Sequence, residues 1–304
     1  MTINHNILYC FDEIYNLQGY SSIISLLDCV EEKINIFIIH NQDLSENDLP
    51  KIISNHKNLN QIKIFKFKDL NHNFQNLDNN HISVATYFRI FIENYIDKEI
   101  NYITYIDADT ICIKNPLAEL NMTIEQLENS NYVLGAHTEK QTSQEVFDRL
   151  GVKSNYFNAG VMVIDLKKWR NQKLTKLLVE KMNTLGEKIV HWDQDVLNSY
   201  FDGEFLEIKE SLNFNAVYAD RLNKEVKIIH YIGSKKPWYI SGIFQPGSEY
   251  YHENYSKVNT NRYHIVHNWK KSSLIDFFKG LITLKIFKLK NPYQFIKSFA
   301  NSFK

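Results

Sequence analysis

Cysteine is scarce in this chain. Its 304 residues contain three, Cys10, Cys29 and Cys112, an odd number with no CxxC pair. That argues against a disulfide framework or a zinc site and fits a reducing compartment. Cys112, inside an apolar run, reads as a buried structural thiol. Net charge is missing too: 35 Lys and Arg balance 35 Asp and Glu, unlike the basic footprint of a general nucleic-acid binder. No uncharged apolar run approaches the roughly 20 residues that span a bilayer. No basic segment leads into an apolar stretch and a small-residue cleavage site near residue 1, so no signal peptide is expected. What remains is ordinary globular material, 44% hydrophobic and 23% charged, enough for a sizeable core. The expectation is a cytoplasmic enzyme or binding protein of one large domain or two small ones.

Four short β-branched or aromatic runs read as strands: Asn6–Phe11, Ile34–His40, Gln61–Phe67 and Asn101–Asp107. Between the first two, Ile23, Ile24, Leu27 and Val30 recur at helical spacing, with Ser21 or Ser22 as a cap. A second helix is expected after Ser45. A third is expected over Ser83–Ile96, with Phe88, Phe91, Ile92 and Tyr95 on one stripe. Strands alternating with helices predict parallel βαβ units in an α/β sheet covered on both faces.

The stretch YITYIDADTICI, Tyr102 to Ile113, places Asp107 and Asp109 at the carboxyl end of the fourth strand, where open α/β sheets bind ligands. In an extended segment, side chains at i and i+2 point the same way. Two carboxylates on one side can grip one cation, although Asp-x-Asp alone is as often a solvated turn. Other segments carry polar groups to similar places. NYFNAGVMVIDLKKWR (Asn155–Arg170) sets Asn158, Ala159 and Gly160 before an apolar strand. HWDQDVLNSYF (His191–Phe201) crowds Asp193, Gln194 and Asp195 onto a helix start, where Asp193 is also a plausible N-cap. KIIHYIGSKKPW (Lys227–Trp238) ends a strand at His230 and follows it with Gly233, Lys235 and Lys236, a combination suited to a metal and a phosphate.

With NILYCFDEIY, HISVATYFRI, YIDADT, YVLGAHTE and WDQDVLN, these segments resemble the retaining glycosyltransferases of family 8, in the family's order and over residues from about 6 to 240. The bacterial lipopolysaccharide and lipooligosaccharide galactosyl- and glucosyltransferases are the most similar. The resemblance implies a GT-A fold, a mixed and mainly parallel central sheet flanked by helices. It implies a nucleotide-binding half over about 1–115 and an acceptor half over about 116–268. It also implies a UDP-hexose donor, galactose or glucose, and Mn²⁺, with Mg²⁺ as an alternative. The metal ligands would be Asp107, Asp109 and His230. Donor contacts would come from Cys10, Phe11, Asp12, Arg89, Asp107, Ala108, Asn158, Ala159, Gly160, Asp193, Gln194, Gly233 and Lys236. Of these, Asp193, Gln194 and Lys236 would be catalytic.

Ile14 stands where relatives commonly carry asparagine, and Glu139 where they often carry aspartate at the acceptor side. Gln194 matches the residue beside the anomeric carbon. An amide is a poor nucleophile, so front-face substitution is expected, with Asp195 the alternative nucleophile or simply a structural helix residue. The competing functions are a non-catalytic UDP-sugar binder and a metal-dependent nucleotidyltransferase on a similar sheet.

Residues 269–304 differ in composition. They are rich in Phe, Ile, Leu and Lys, with Asp276 the only acid. They read as basic amphipathic helices lying on an anionic membrane at the inner face of the cell membrane, near a glycan or glycolipid acceptor. The alternative is a terminal helix packed on the core.

Overall fold

The structure, a computed structural model, describes residues 5–69, 71–72, 74, 84–140, 142–222 and 224–303, Arg221 without its side chain. Residues 81–83, the start of the HISVATYFRI segment and of the expected third helix, lie outside them.

Strands β1 (Asn6–Phe11), β2 (Ile34–His40), β3 (Leu59–Lys66), β4 (Tyr102–Ile106), β6 (Leu134–Thr138), β7 (Phe157–Asp165) and β8 (Leu206–Glu207) form one sheet in the order β3-β2-β1-β4-β7-β6-β8. A smaller sheet joins β5 (Thr110–Cys112), β10 (Ile228–His230) and β9 (Phe214–Asn215). Helices cover both faces of the large sheet. Strand β1 shows this by its alternation: Leu8 and Cys10 enter one core, and Ile7, Tyr9 and Phe11 enter the other. Hence β1 and β2 are apolar along nearly their whole length, as strands buried on both faces require.

The parallel pattern holds from β3 through β2 and β1 to β4. It breaks at β7, which runs antiparallel to both β4 and β6. This reversal brings the start of β7, with Asn158, Ala159 and Gly160, beside the end of β4. The Asp107 N–H donates to the Gly160 carbonyl at 2.8 Å. In the smaller sheet, β5 pairs antiparallel with β10 and sets His230 opposite Thr110. The two sheets thus meet at the Asp-x-Asp turn.

The third helix differs from expectation. Over Val84–Asn94 the chain winds as a 3-10 helix. At three residues per turn, Phe88 and Phe91 line up on one edge. Both pack on Phe67, with the Phe67 and Phe88 rings stacked at 3.9 Å. Arg89 is buried on another side.

At the C-terminus, helices Lys270–Ile282 and Pro292–Asn301 fold back on the chain. Phe277, Phe295 and Phe299 share a cluster with Ile240, Ile243 and Tyr263, and the Phe277 and Phe299 rings stack at 4.0 Å. The inward face of this segment is therefore core. Among the described residues, no helix is long and apolar enough to cross a membrane.

Candidate active site

Ligand-capable oxygens of Asp107 and Asp109 and a ring nitrogen of His230 lie within 4.8 Å of one another. His230 Nε2 stands 3.2 Å from Asp109 Oδ1 and 3.6 Å from Asp107 Oδ2. The turn that aims the carboxylates is tied by Thr110 Oγ1, which donates to the Asp107 carbonyl and meets the Ser22 hydroxyl of helix Asn16–Cys29 at 2.9 Å. Tyr105 donates its hydroxyl proton to Asp107 Oδ1.

The tautomer of His230 follows from its neighbours. The Gly160 N–H donates to Asn158 Oδ1 at 3.0 Å, which fixes that amide oxygen. Asn213 Nδ2 therefore donates to the same oxygen at 2.9 Å. Asn213 then turns its own oxygen to His230 Nδ1 at 2.9 Å. Nδ1 carries the proton, and Nε2 offers its lone pair to the space between the carboxylates. Metal-binding histidines are oriented in this way. Asn158 completes the chain by donating to Glu139 at 3.3 Å. Gly160 is needed for close packing: a Cβ there would lie 2.1 Å from His230 Cε1. Two carboxylates and one imidazole are a donor set that suits a divalent cation such as Mn²⁺. Sequence reasoning missed Asn213, because no strand-end or Gly-rich signal marks it.

A second cluster adjoins the first. Arg89 is buried and donates to Asp107 at 3.2 Å, to the Ala159 carbonyl at 2.6 Å and to Asp193 at 3.1 Å. Its guanidinium carbon sits 4.3 Å from the centre of the Tyr105 ring. Burial works against its charge, but Asp193, Tyr105 and Asp107 outweigh it and hold the guanidinium ionised. Burial pushes the Asp193 carboxyl up, to about 7, against the pull of Arg89. Gln194 follows on the same helix, Trp192–Phe201, half-buried, with its amide oxygen accepting from the Ala159 N–H at 3.0 Å.

Lys236 closes the site from the loop after β10. Its ammonium lies 2.5 Å from Asp109 Oδ2. Burial raises the Asp109 carboxyl, but the Lys236 ammonium beside it outweighs that and holds it well below the usual carboxylate range. The loop turns at Gly233, whose φ of +81° favours glycine. It is pinned again at Gly242, where a Cβ would meet the Lys236 carbonyl oxygen at 1.9 Å.

The structure gathers most of the candidate residues, but not all their side chains join the two clusters. Cys10 is buried beneath Arg89, Asp107 and Asp193, and burial pushes its thiol up. Phe11 is buried on the other side of the sheet against Tyr20 and His40. Asp12 is buried and caps the next turn, accepting from the Ile14 and Tyr15 N–H groups. Ala108 is buried between Asp107 and Asp109 in the chain, and Ile14 is exposed. Asp195 is fully buried and faces away, toward Arg149 and Tyr156.

The sequence model described as glycosyl transferase family 8 matches residues 6–241. The chain belongs to this family. It is 31% identical over 179 residues to the lipopolysaccharide 1,3-galactosyltransferase of Salmonella typhimurium, covering 55% of this chain and 52% of that one. It is 27% identical over 250 residues to a lipopolysaccharide 1,2-glucosyltransferase of Escherichia coli, covering 77% and 73%. The solved structure of the galactosyltransferase LgtC, in complex with donor and acceptor sugar analogs, superposes with a TM-score of 0.70 at 21% identity over 88% of this chain and 99% of that one. The fold is therefore GT-A. The glycosyltransferase family membership takes precedence over the nucleotidyltransferase alternative.

Proposed function

We propose that this family-8 glycosyltransferase moves a hexose, galactose or glucose, from a UDP-sugar to a cell-surface glycan or glycolipid acceptor such as lipooligosaccharide, with retention and hence an α linkage. The observation that carries this reading is the junction of two clusters: Asp107, Asp109 and His230 beside Lys236, and Arg89, Asp193 and Gln194 a few ångströms further along β7. The lipopolysaccharide hexosyltransferases among the relatives support the substrate class.

In this reading the three ligands hold Mn²⁺ or Mg²⁺. When bound, the cation supplies positive charge against the negative charge that grows on the diphosphate as the sugar bond breaks. Lys236, on its Gly233 turn, contributes a second positive charge to the same oxygens. Arg89 neutralises Asp107 and Asp193 and fixes the Ala159 peptide at the donor-sugar edge. Gln194 presents a neutral amide, which favours front-face attack by the acceptor hydroxyl over a covalent intermediate.

The outward face of the C-terminal helices extends the reading. Trp269, Phe278, Ile282, Leu284, Phe287 and Tyr293 are exposed among Lys270, Lys271, Lys279, Lys285 and Lys288. We assign this face to peripheral docking on an anionic inner-membrane leaflet, at about 1 kcal/mol per lysine close to the surface plus apolar burial.

The test is UDP release from UDP-galactose and UDP-glucose with Mn²⁺, with and without acceptor. Release that needs the metal and rises with a glycan acceptor supports transfer. Activity unchanged in excess EDTA, or a β-linked product by anomeric proton NMR, would sink the metal or the retention assignment respectively. Binding of a UDP-sugar without any turnover would favour the binding-protein alternative.

A further inference from the structure

Asp195 sits next to Gln194 in sequence but belongs to a different set of contacts. Its Oδ2 accepts from the Val190 and His191 N–H groups and from Arg149, each at 2.8 Å. Its Oδ1 accepts the Tyr156 hydroxyl proton at 2.7 Å. Burial alone would raise this carboxyl. The hydrogen bonds from Arg149, His191, Val190 and Tyr156 outweigh it and keep Asp195 below the usual carboxylate range. An ionised carboxylate only accepts, so every one of these bonds runs toward Asp195.

Tyr156 has one hydroxyl proton, and Asp195 takes it. Burial keeps that hydroxyl protonated. Toward Gln194 the Tyr156 oxygen therefore offers only a lone pair, and Gln194 Nε2 donates to it at 3.2 Å. The other end of the amide is fixed independently, because the Ala159 N–H donates to Gln194 Oε1 at 3.0 Å. A flipped amide would set N–H against N–H at one end and lone pair against lone pair at the other. The chain has one direction: the Ala159 N–H donates to Gln194, Gln194 to Tyr156 and Tyr156 to Asp195, while Arg149 anchors the charge.

We propose that Tyr156, held by Asp195, is a positioning residue that admits only a hydrogen-bond donor at the inner end of residue 194 and so fixes the Gln194 carboxamide in one orientation. This deepens the transfer mechanism above and rests on that reading for its catalytic meaning. A carboxylate at 194 would turn an unprotonated oxygen onto the Tyr156 lone pair, with the Asp195 charge directly behind. The same wiring engages both Asp195 oxygens and directs them toward Arg149, the Val190 and His191 N–H groups and Tyr156, away from the Ala159 edge. Gln194 thus serves as a neutral group with its oxygen held at the Ala159 edge, where a second lone pair remains for the donor sugar. Sequence alone pointed to Gln194 and Asp195 as rivals; the geometry makes them two ends of one relay.

Two variants test this in the full chain with Mn²⁺ and UDP-galactose or UDP-glucose. Tyr156→Phe removes the acceptor, so the amide is free to turn. The expected result is a kcat roughly 10- to 100-fold lower with the donor KM within about twofold, the split expected when an interaction matters mainly in the transition state. Gln194→Glu keeps Tyr156 and the core intact. Its carboxyl pKa should rise, because its inner oxygen would face the Tyr156 lone pair with the Asp195 charge behind it, which outweighs the single Ala159 N–H at the outer oxygen. Its melting temperature should fall below wild type near about pH 8, and the gap should close as the pH falls toward about 5 and protonation restores a donor. Its turnover should gain a low-pH limb that the wild type lacks.

A Tyr156→Phe enzyme with wild-type kcat would overturn the proposal. So would Gln194→Glu melting in parallel with wild type across that pH range. The melting comparison needs no substrate. If the wild-type chain releases UDP from no donor, the functional reading fails while the wiring is still decided by the melting data. If Tyr156→Phe does not fold, Gln194→Glu decides it alone.

Discussion

The strand-end site and the C-terminal helices use charge next to apolar surface in opposite ways. At the site, Asp109, His230, Arg89 and Asp193 are largely withdrawn from water, and each has at least one named partner. In the C-terminal helices the lysines stay outside and the aromatics divide between two faces. Phe277, Phe295 and Phe299 turn inward, while Phe278, Phe287 and Tyr293 face solvent. A buried charge without a partner is costly, so a cluster of them has to be held by specific hydrogen bonds and constrains its neighbours closely. A lysine at the surface constrains almost nothing. Substitutions should therefore act locally and strongly on chemistry at the site, and on stability or surface binding at the C-terminus.

The largest effect should come from breaking the first half of this contrast. Asp109→Ala removes one of the three proposed ligands and the partner of Lys236 at once. Turnover should fall by at least about a thousandfold, equivalent to roughly 4 kcal/mol in the barrier, while circular dichroism and melting temperature stay near wild type. Residual activity within tenfold, or an unfolded protein, would show that the carboxylate is structural. Gly160→Ala should follow closely, because its Cβ displaces His230, and the loss should appear as a higher Mn²⁺ concentration needed for half-maximal turnover.

Next in size is a cut on the inward C-terminal face. Phe299→Ala empties a site stacked on Phe277 and should cost about 3–5 kcal/mol of stability, read as urea midpoint. Unfolding in two separated steps would mean that the C-terminal helices melt apart from the sheet. A single destabilised transition would make them part of one cooperative unit.

The pH dependence of stability sharpens the same boundary. His252 is fully buried: its Nδ1 accepts from the His264 N–H at 3.3 Å, and its Nε2 donates to the Pro237 carbonyl at 2.9 Å, beside the Lys236 loop. Burial lowers its pKa to about 3, and burial lowers His264 to about 4. Both are neutral in the folded protein and charge near pH 6.5 when unfolded. The unfolded state thus binds more protons below that pH, and stability falls as the pH drops from about 6.5 toward 4. By about pH 5 the loss should be roughly 2 kcal/mol for each histidine, and close to additive because neither is charged in the folded state there. His252→Gln should flatten the curve in urea titrations at pH 7 and 5. An unchanged slope would mean that the histidine does not stay neutral.

Much of the site was legible because its residues fall at strand and helix ends, where local pattern and ligand position coincide. Asp107 and Asp109 follow β4, His230 ends β10 and Asp193 opens a helix. What the sequence did not display was long-range direction. Nothing local reveals that β7 runs antiparallel, that Asn213 orients His230, or that Asp195 faces Tyr156 instead of the sugar edge. Those depend on pairs separated by 17 and 39 positions. The C-terminal sequence pattern reads as amphipathic with one apolar face. The division of Phe277 and Phe278 onto opposite surfaces depends on where Ile240 and Tyr263 sit, which no periodicity contains.

The smallest effect on the folded enzyme should come from the outward C-terminal face. Ile282 is 82% and Tyr293 78% exposed, so replacing Phe278, Ile282 and Leu284 by serine removes little buried area. Stability should change by less than about 0.5 kcal/mol per position, as for ordinary surface sites, and turnover on a soluble acceptor sugar should be unchanged. Vesicle binding should respond differently. Each apolar side chain that enters a bilayer is worth roughly 1.5–3 kcal/mol when fully buried, and partial insertion of three should still supply about a hundredfold in affinity. The triple variant should therefore lose flotation with vesicles containing anionic lipid, and wild-type binding should weaken as salt rises because the lysine attraction is screened. If the variant floats like wild type, the outward face is not the docking surface. If it loses soluble turnover instead, these residues support the Lys236 loop through the packed helices, and the separation between the two regions fails.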